Sequence, residues 1–372
     1  MPFIFRIAES VTWEIHMAEI FLQNAWYCAG WDYEIHQGRS AIIARKIAGE
    51  RVVLYRKPDG AVVALEDRCA HRQAALSLGR KEGGSLRCLY HGLKFDSTGR
   101  CEEIPGQTMI PVGTCVRSFP VIEKDNWVWV WMGDPAKADP ALICFAVGPS
   151  DPNWHIRTSQ MHVQTNYRRE IENLADLSHL AWVHPQTVGG DRKYSEMKSH
   201  YELTARGLNT LCWVRSVAPT GAVAHLFPEG TKLDVCLDIQ HTVPCNWIMH
   251  FRVFTAGTNT EGPSNGKLMV DTWTCQTVTP CDDDSVDYYY SWGASKETEF
   301  PGLSDLLGRT LDEAFTEDRI MLEAQHLRRT EQPGRKMLNI ANDAGPNKMM
   351  WVLDKLIHEE RSVKSGPVSL SA

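Results

Sequence analysis

Two short stretches carry the most specific chemistry in this chain. Cys69-Ala70-His71 is followed, after sixteen residues, by Cys88-Leu89-Tyr90-His91. Each stretch therefore offers one thiol and one imidazole. Such a set suits a [2Fe–2S] cluster in which two thiolates hold one iron and two imidazoles the other. Exchanging two anionic ligands for neutral ones raises the reduction potential above that of an all-cysteine cluster, and the site becomes an electron port. A structural zinc ion is the competing reading, since two Cys and two His also suit tetrahedral zinc. Zinc fingers, however, commonly pair Cys-x(2–4)-Cys with His-x(3–5)-His, whereas here each loop mixes the two ligand types. The surroundings favour the cluster. Gly83-Gly84 and Gly92 allow tight turns beside the ligand loops, and Asp96-Ser97-Thr98-Gly99 reads as a hairpin turn after the second.

A second pair of histidines, His179 and His184, lies in the segment Glu172 to His184. Five residues rotate about 500° along an ideal helix, so the two cannot share a face unless the helix bends or ends. Pro185 supplies a reason, because the residue before proline is pushed out of helical geometry. His184 can then turn back beside His179. Taken alone, such a pair is compatible with core or surface histidines as well as with metal ligands. The segment from Leu311 to Glu323 holds five carboxylates, and helical periodicity chooses among them. Leu311, Ala314, Phe315 and Leu322 form one stripe with Asp318 in its middle. Asp312, Glu313, Glu317 and Glu323 are expected to point away. A carboxylate on an apolar face is costly unless it is paired or binds metal, which makes Asp318 the candidate ligand. Asp176, three residues before His179, is expected to be its neighbour on a helix face and a hydrogen-bond acceptor for its ring.

Several elements must position these groups. Trp26 to Cys28, Val52 to Tyr55, Ala61 to Leu65 and Trp127 to Met132 read as strands separated by Gly, Pro or Asp turns, so the first 130 or so residues are mostly β. Gly133-Asp134-Pro135 and the stretch through Pro140, Pro149 and Pro152 form a proline-punctuated connection. At 372 residues, 43% hydrophobic and 23% charged, the chain has material for two cored domains. The net charge of −7 gives no electrostatic reason to expect nucleic acid or an anionic membrane as a partner. No run of about twenty apolar residues could span a bilayer, and Phe3 to Ile7 is too short for a secretion signal. Eleven cysteines at irregular spacings fit free thiols in a reducing compartment, so a cytoplasmic location is expected. No Gly-x-Gly-x-x-Gly follows a strand, and electrons must come from a separate reductase, with NAD(P)H acting only through it.

On Cys69, His71, Arg72, Cys88 and Tyr90-His91-Gly92, the chain resembles the Rieske domain of ring-hydroxylating and demethylating oxygenases. Across most of its length it is similar to the vanillate O-demethylase, dicamba demethylase and toluenesulfonate methyl-monooxygenase group. The resemblance implies an α+β protein. Residues 1–19 would be an N-terminal extension, 20–150 a β-rich Rieske domain, and 151–372 a helix-grip-like catalytic domain of antiparallel sheet and helices. It implies that His179, His184 and Asp318 form a facial triad for a mononuclear Fe(II) that takes O₂ as co-substrate, with Asn173 near the metal. It also implies a head-to-tail homotrimer in which Asp176 links the iron of one subunit to His91 of the partner subunit, with a flavin and ferredoxin-type reductase supplying electrons. The expected reaction is hydroxylation of a methyl or methoxy carbon of a small aromatic acid; a hydroxylated methoxy group collapses to a phenol and formaldehyde. Gln276, in a stretch resembling a pocket-wall hairpin, is the expected substrate hydrogen-bonder. Arg309 and Arg252 are candidates for pairing an anionic substrate group. The alternatives are ring, N-methyl or S-linked hydroxylation by the same centre, or an electron carrier fused to a binding domain.

Overall fold

The computed structural model describes residues 21–36, 42–297 and 301–364. The expected extension, residues 1–19, lies outside them. The N-terminal strands are β1 (Trp26–Trp31), β2 (Ile42–Ile47), β3 (Glu50–Arg56), β4 (Val62–Glu66), β5 (Arg80–Glu82), β6 (Ser85–Arg87), β7 (Lys94–Phe95), β8 (Cys101–Glu103), β9 (Ser118–Phe119), β10 (Val121–Lys124) and β11 (Trp127–Trp131). They form three small sheets, ordered β1-β11-β10, β2-β3-β4-β9 and β5-β6-β7-β8. The sequence places Trp127, Trp129 and Trp131 on one face of β11 and Val128 and Val130 on the other, since successive strand side chains alternate. Both faces are covered, the tryptophans entering one buried cluster and the valines another. That explains why this strand reads as a continuous apolar run rather than an alternation.

A seven-stranded antiparallel sheet follows, built from β12 (Trp154–Val163), β13 (Ser199–Thr204), β14 (Gly207–Val217), β15 (Leu233–Thr242), β16 (Asn246–Thr255), β17 (Leu268–Pro280) and β18 (Val286–Ser295), in the order β12-β18-β17-β16-β15-β14-β13. Helices α1 (Tyr167–Ala175), α2 (Leu180–Val183), α3 (Leu303–Glu331) and α4 (Ala344–Lys364) complete the chain. This is the expected α+β architecture. α3 buries Leu307, Leu311, Ala314, Phe315 and Leu322, and Phe315 stacks on Tyr288 of β18 with ring centroids 4.9 Å apart.

The proline-rich connection is not a loose tether. Asp134 and Asp139 each cap a short 3-10 turn opened by proline, accepting from Ala136 N (3.0 Å) and Ala141 N (2.9 Å). Ile143, Ala146 and Val147 then pack between the N-terminal tryptophans and Ile248, Cys275 and Tyr289 of the large sheet. Backbone bonds join the two halves as well: Ala48 N donates to Pro280 O (2.7 Å) and Gly49 N to Cys281 O (2.9 Å). No helix among the described residues is long and apolar enough to cross a membrane.

Candidate functional site

The first centre lies on two loops with the same hydrogen-bond frame. Cys69 N donates to Ala74 O and Gln73 N back to Cys69 O; in the second loop Cys88 N donates to Leu93 O and Gly92 N to Cys88 O, all at 2.8–3.0 Å. The fourth residue after each cysteine turns left-handed, with φ of 58° at Gln73 and 79° at Gly92. At Gly92 the turn also brings the chain against Pro105, whose Cγ lies 2.6 Å from where a Cβ would sit, so only glycine fits. Cys69 and Cys88 are buried side by side. His71 and His91 lie at the exposed tip with ring centroids 4.5 Å apart. Thiol beside thiol and imidazole beside imidazole is the grouping a mixed-ligand [2Fe–2S] cluster needs. Burial pushes the Cys69 thiol up to about 11, so a bound cation is required to hold it as thiolate at neutral pH.

The second centre is built where α1 stops. The helix ends at Asp176 (φ −108°, ψ 98°), and a 3-10 turn, Leu177–His179, leads into α2. The break thus lies at Asp176 as well as before Pro185, and this corrects the expected placement of Asp176. Its carboxylate caps the turn, accepting from Ser178 N at 2.8 Å, and its backbone carbonyl accepts from His179 Nδ1. His184 (φ −115°, ψ 47°) leaves the helix, and the chain folds back so closely that a Cβ on Gly189 would meet Leu180 O at 1.8 Å.

Asp318, 6% exposed, faces both rings: His179 Nε2 is 3.6 Å and His184 Nε2 3.2 Å from its oxygens. Asn173 donates to the same carboxylate at 3.1 Å. One ligand atom from each of the triad lies within 4.8 Å of the others. Glu317 does not point away, as the stripe had implied; it accepts from His184 Nδ1 and from Thr187 Oγ1, both at 2.8 Å. With each Nδ1 engaged as donor, the neutral tautomers present Nε2 lone pairs toward an anionic carboxylate. Three converging acceptors repel unless a cation lies between them, and a buried carboxylate left uncompensated costs several kcal/mol. Burial opposes a charge on His184, yet the Asp318 and Glu317 carboxylates outweigh it and raise its pKa; a metal displaces that proton. Iron affinity should fall about 10–100-fold in Glu317→Gln, because the carboxylate that fixes the His184 tautomer is lost; chelator competition on the intact protein measures it, and unchanged affinity would exclude this role.

The triad opens into a cavity between α3, the sheet and the segment 218–227. Gln276 lines it, buried, donating to Thr274 Oγ1 at 3.2 Å and accepting from Tyr288 OH. The two arginines are elsewhere. Arg252 alternates to the opposite sheet face from Phe251 and Val253 and pairs with Asp238 at 3.4 Å. Arg309 is exposed on α3, beside a separate surface groove with Asp305 and Asp312. Neither reaches the cavity, which corrects their assignment as substrate partners. The sequence around Trp247, Trp273 and Trp292 suits either an aromatic pocket or a plain core; Trp247 and Trp292 line the cavity, whereas Trp273 packs against the N-terminal tryptophan cluster.

Residues 25–120 match the Rieske [2Fe–2S] domain, and 163–359 match the vanillate O-demethylase oxygenase C-terminal domain. The chain belongs to the Rieske non-heme iron oxygenases. It is 37% identical to a toluene-4-sulfonate monooxygenase system iron-sulfur subunit of Comamonas testosteroni, over 92% of this chain and 98% of that one. A vanillate O-demethylase oxygenase subunit of Pseudomonas sp. (strain HR199) is 32% identical over 92% and 96%. The crystal structure of dicamba monooxygenase bound to 3,6-dichlorosalicylic acid superposes with a TM-score of 0.83 at 29% identity, covering 92% of this chain and 99% of that one. This Rieske oxygenase is accordingly an enzyme, an oxygenase component whose cofactors are a [2Fe–2S] cluster and a mononuclear non-heme iron.

Proposed function

We propose that this Rieske oxygenase hydroxylates a methyl or methoxy carbon of an aromatic molecule, the methoxy case ending in O-demethylation. The observation that carries the reading is the meeting of His179, His184 and Asp318 in the wall of a largely apolar cavity; the O-demethylase relatives support the choice of carbon. Cys69, His71, Cys88 and His91 hold the cluster, and His179, His184 and Asp318 hold the iron. Iron supplies O₂ activation, so that one oxygen atom enters the C–H bond and the other leaves as water with two electrons and two protons. The chain's own groups arrange the rest. Asn173 steadies the Asp318 carboxylate, the Asp176 carbonyl and Glu317 orient the two imidazoles, and apolar walls keep bulk water from the reacting carbon.

Electrons arrive from a separate flavin and ferredoxin-type reductase. The working unit is a head-to-tail homotrimer in the cytoplasm. Exposed His71, His91, Leu89 and Tyr90 at the cluster tip and exposed Trp182 beside the iron ligands support a subunit contact, across which Asp176 at the break of α1 carries electrons inward from His91 of the partner subunit. Formaldehyde release from methoxyarenes in the presence of reductase, NADH and O₂, together with about three irons per chain, tests the reading. Two irons and no product would instead mean an electron carrier.

A further inference from the structure

We propose that the molecule taken into this cavity is uncharged: an aromatic ether or methylarene bearing neutral hydrogen-bond acceptors and no carboxylate or sulfonate. The inference rests on the reaction just given and specifies its substrate. Among the described residues no lysine or arginine lines the cavity, and its only histidines are His179 and His184. The one carboxylate in its wall is Asp318 at the triad, and the phenol of Tyr194 lines it as well. Iron brings positive charge to the triad, but there the reacting carbon must lie, so this charge cannot also pair an acid group across the ring. An arene anion drawn in would give up its hydration without gaining a counter-ion. Several relatives carry the names of anionic aromatics, toluene-4-sulfonate among them. This cavity has no lysine or arginine among its described lining residues to pair such an acid group.

What it offers instead is a set of neutral donors on one patch of sheet. Trp247 of β16 stands directly across from Gln276 of β17, and Trp292 of β18 directly across from Thr274. All four line the cavity. The indole Nε1 atoms of Trp247 and Trp292 are buried without a hydrogen-bond partner, a costly state that a small turn of either ring toward a bound acceptor would relieve. A carbonyl or ether oxygen on an apolar ring satisfies such a donor and forfeits little hydration on entry. The cover is apolar too, with Val223, Leu226 and Phe227 closing over the same space.

Anaerobic calorimetric titration of the iron-loaded protein separates the cases. The probes are methyl 4-methoxybenzoate, the 4-methoxybenzoate anion and the hydrocarbon 4-isopropyltoluene. The ester should bind at least about tenfold more tightly than the anion, the difference expected for an uncompensated charge. Trp247→Phe or Trp292→Phe should weaken the ester several-fold and leave the hydrocarbon unchanged, a pattern that general damage to the cavity would not produce. Equal or tighter binding of the anion, or failure of the ester to bind, overturns the proposal. Should the ester bind as expected yet yield no formaldehyde with reductase and O₂, the charge inference stands and the proposed reaction fails.

Discussion

The His179→Ala protein should keep the visible absorption of its [2Fe–2S] cluster and lose product formation by about 1000-fold or more, whereas Cys88→Ser should lose the cluster itself. The reason is physical separation of the supports. Each Rieske loop is closed by its own backbone bonds, Cys69 with Ala74 and Cys88 with Leu93, and none of these involves the His179 segment. His179 is held from α1 through the Asp176 carbonyl, and removing its ring takes away one of the three ligands while leaving the Rieske loops untouched. Triads of this type act as a unit, so the loss should approach that of removing the metal. Absorption spectra, iron content and turnover on the same folded sample check it. A bleached cluster in correctly folded His179→Ala protein would show that the two centres depend on each other.

Mixing two inactive variants should restore activity, and this is the second large effect. Subunits carrying Cys88→Ser have a working iron and no cluster; subunits carrying His179→Ala have a cluster and no iron. In a head-to-tail assembly each cluster serves the iron of its neighbour, so mixed oligomers recover a substantial fraction of wild-type turnover from parents that have almost none. Placing Asp176→Asn in the iron-bearing subunit should abolish the recovery, since the anion at the break of α1 is then gone while the Ser178 cap is replaced by an amide oxygen of similar reach. Co-expressed, doubly tagged oligomers report the outcome. Isolated mixed assemblies with both metal centres intact but no activity would place electron transfer within a single chain.

Both centres were legible to the degree that their chemistry is local in the chain. Cys69 with His71 and Cys88 with His91 are each confined to one loop, so spacing alone carried the ligand pattern. Asp318 could be picked from five carboxylates because helical period puts it among Leu311, Phe315 and Leu322, and the structure buries all four. Its neighbour Glu317 could not. One residue along a helix is a rotation of about 100°, which takes Glu317 off the apolar stripe, and only the fold-back at Gly189 brings the His184 ring round to it. The same division explains the arginines. Alternation along β16 sets Arg252 opposite Phe251 and Val253, but which face meets the iron cavity depends on sheet register and on where α3 packs. Spacing and period act over a few covalent bonds and survive in the sequence as pattern. The meeting of Trp247, Gln276 and Trp292 depends on strand pairing across tens of residues, and the absence of a cation beside them is a property of one side of a sheet, which exists only after the chain has folded.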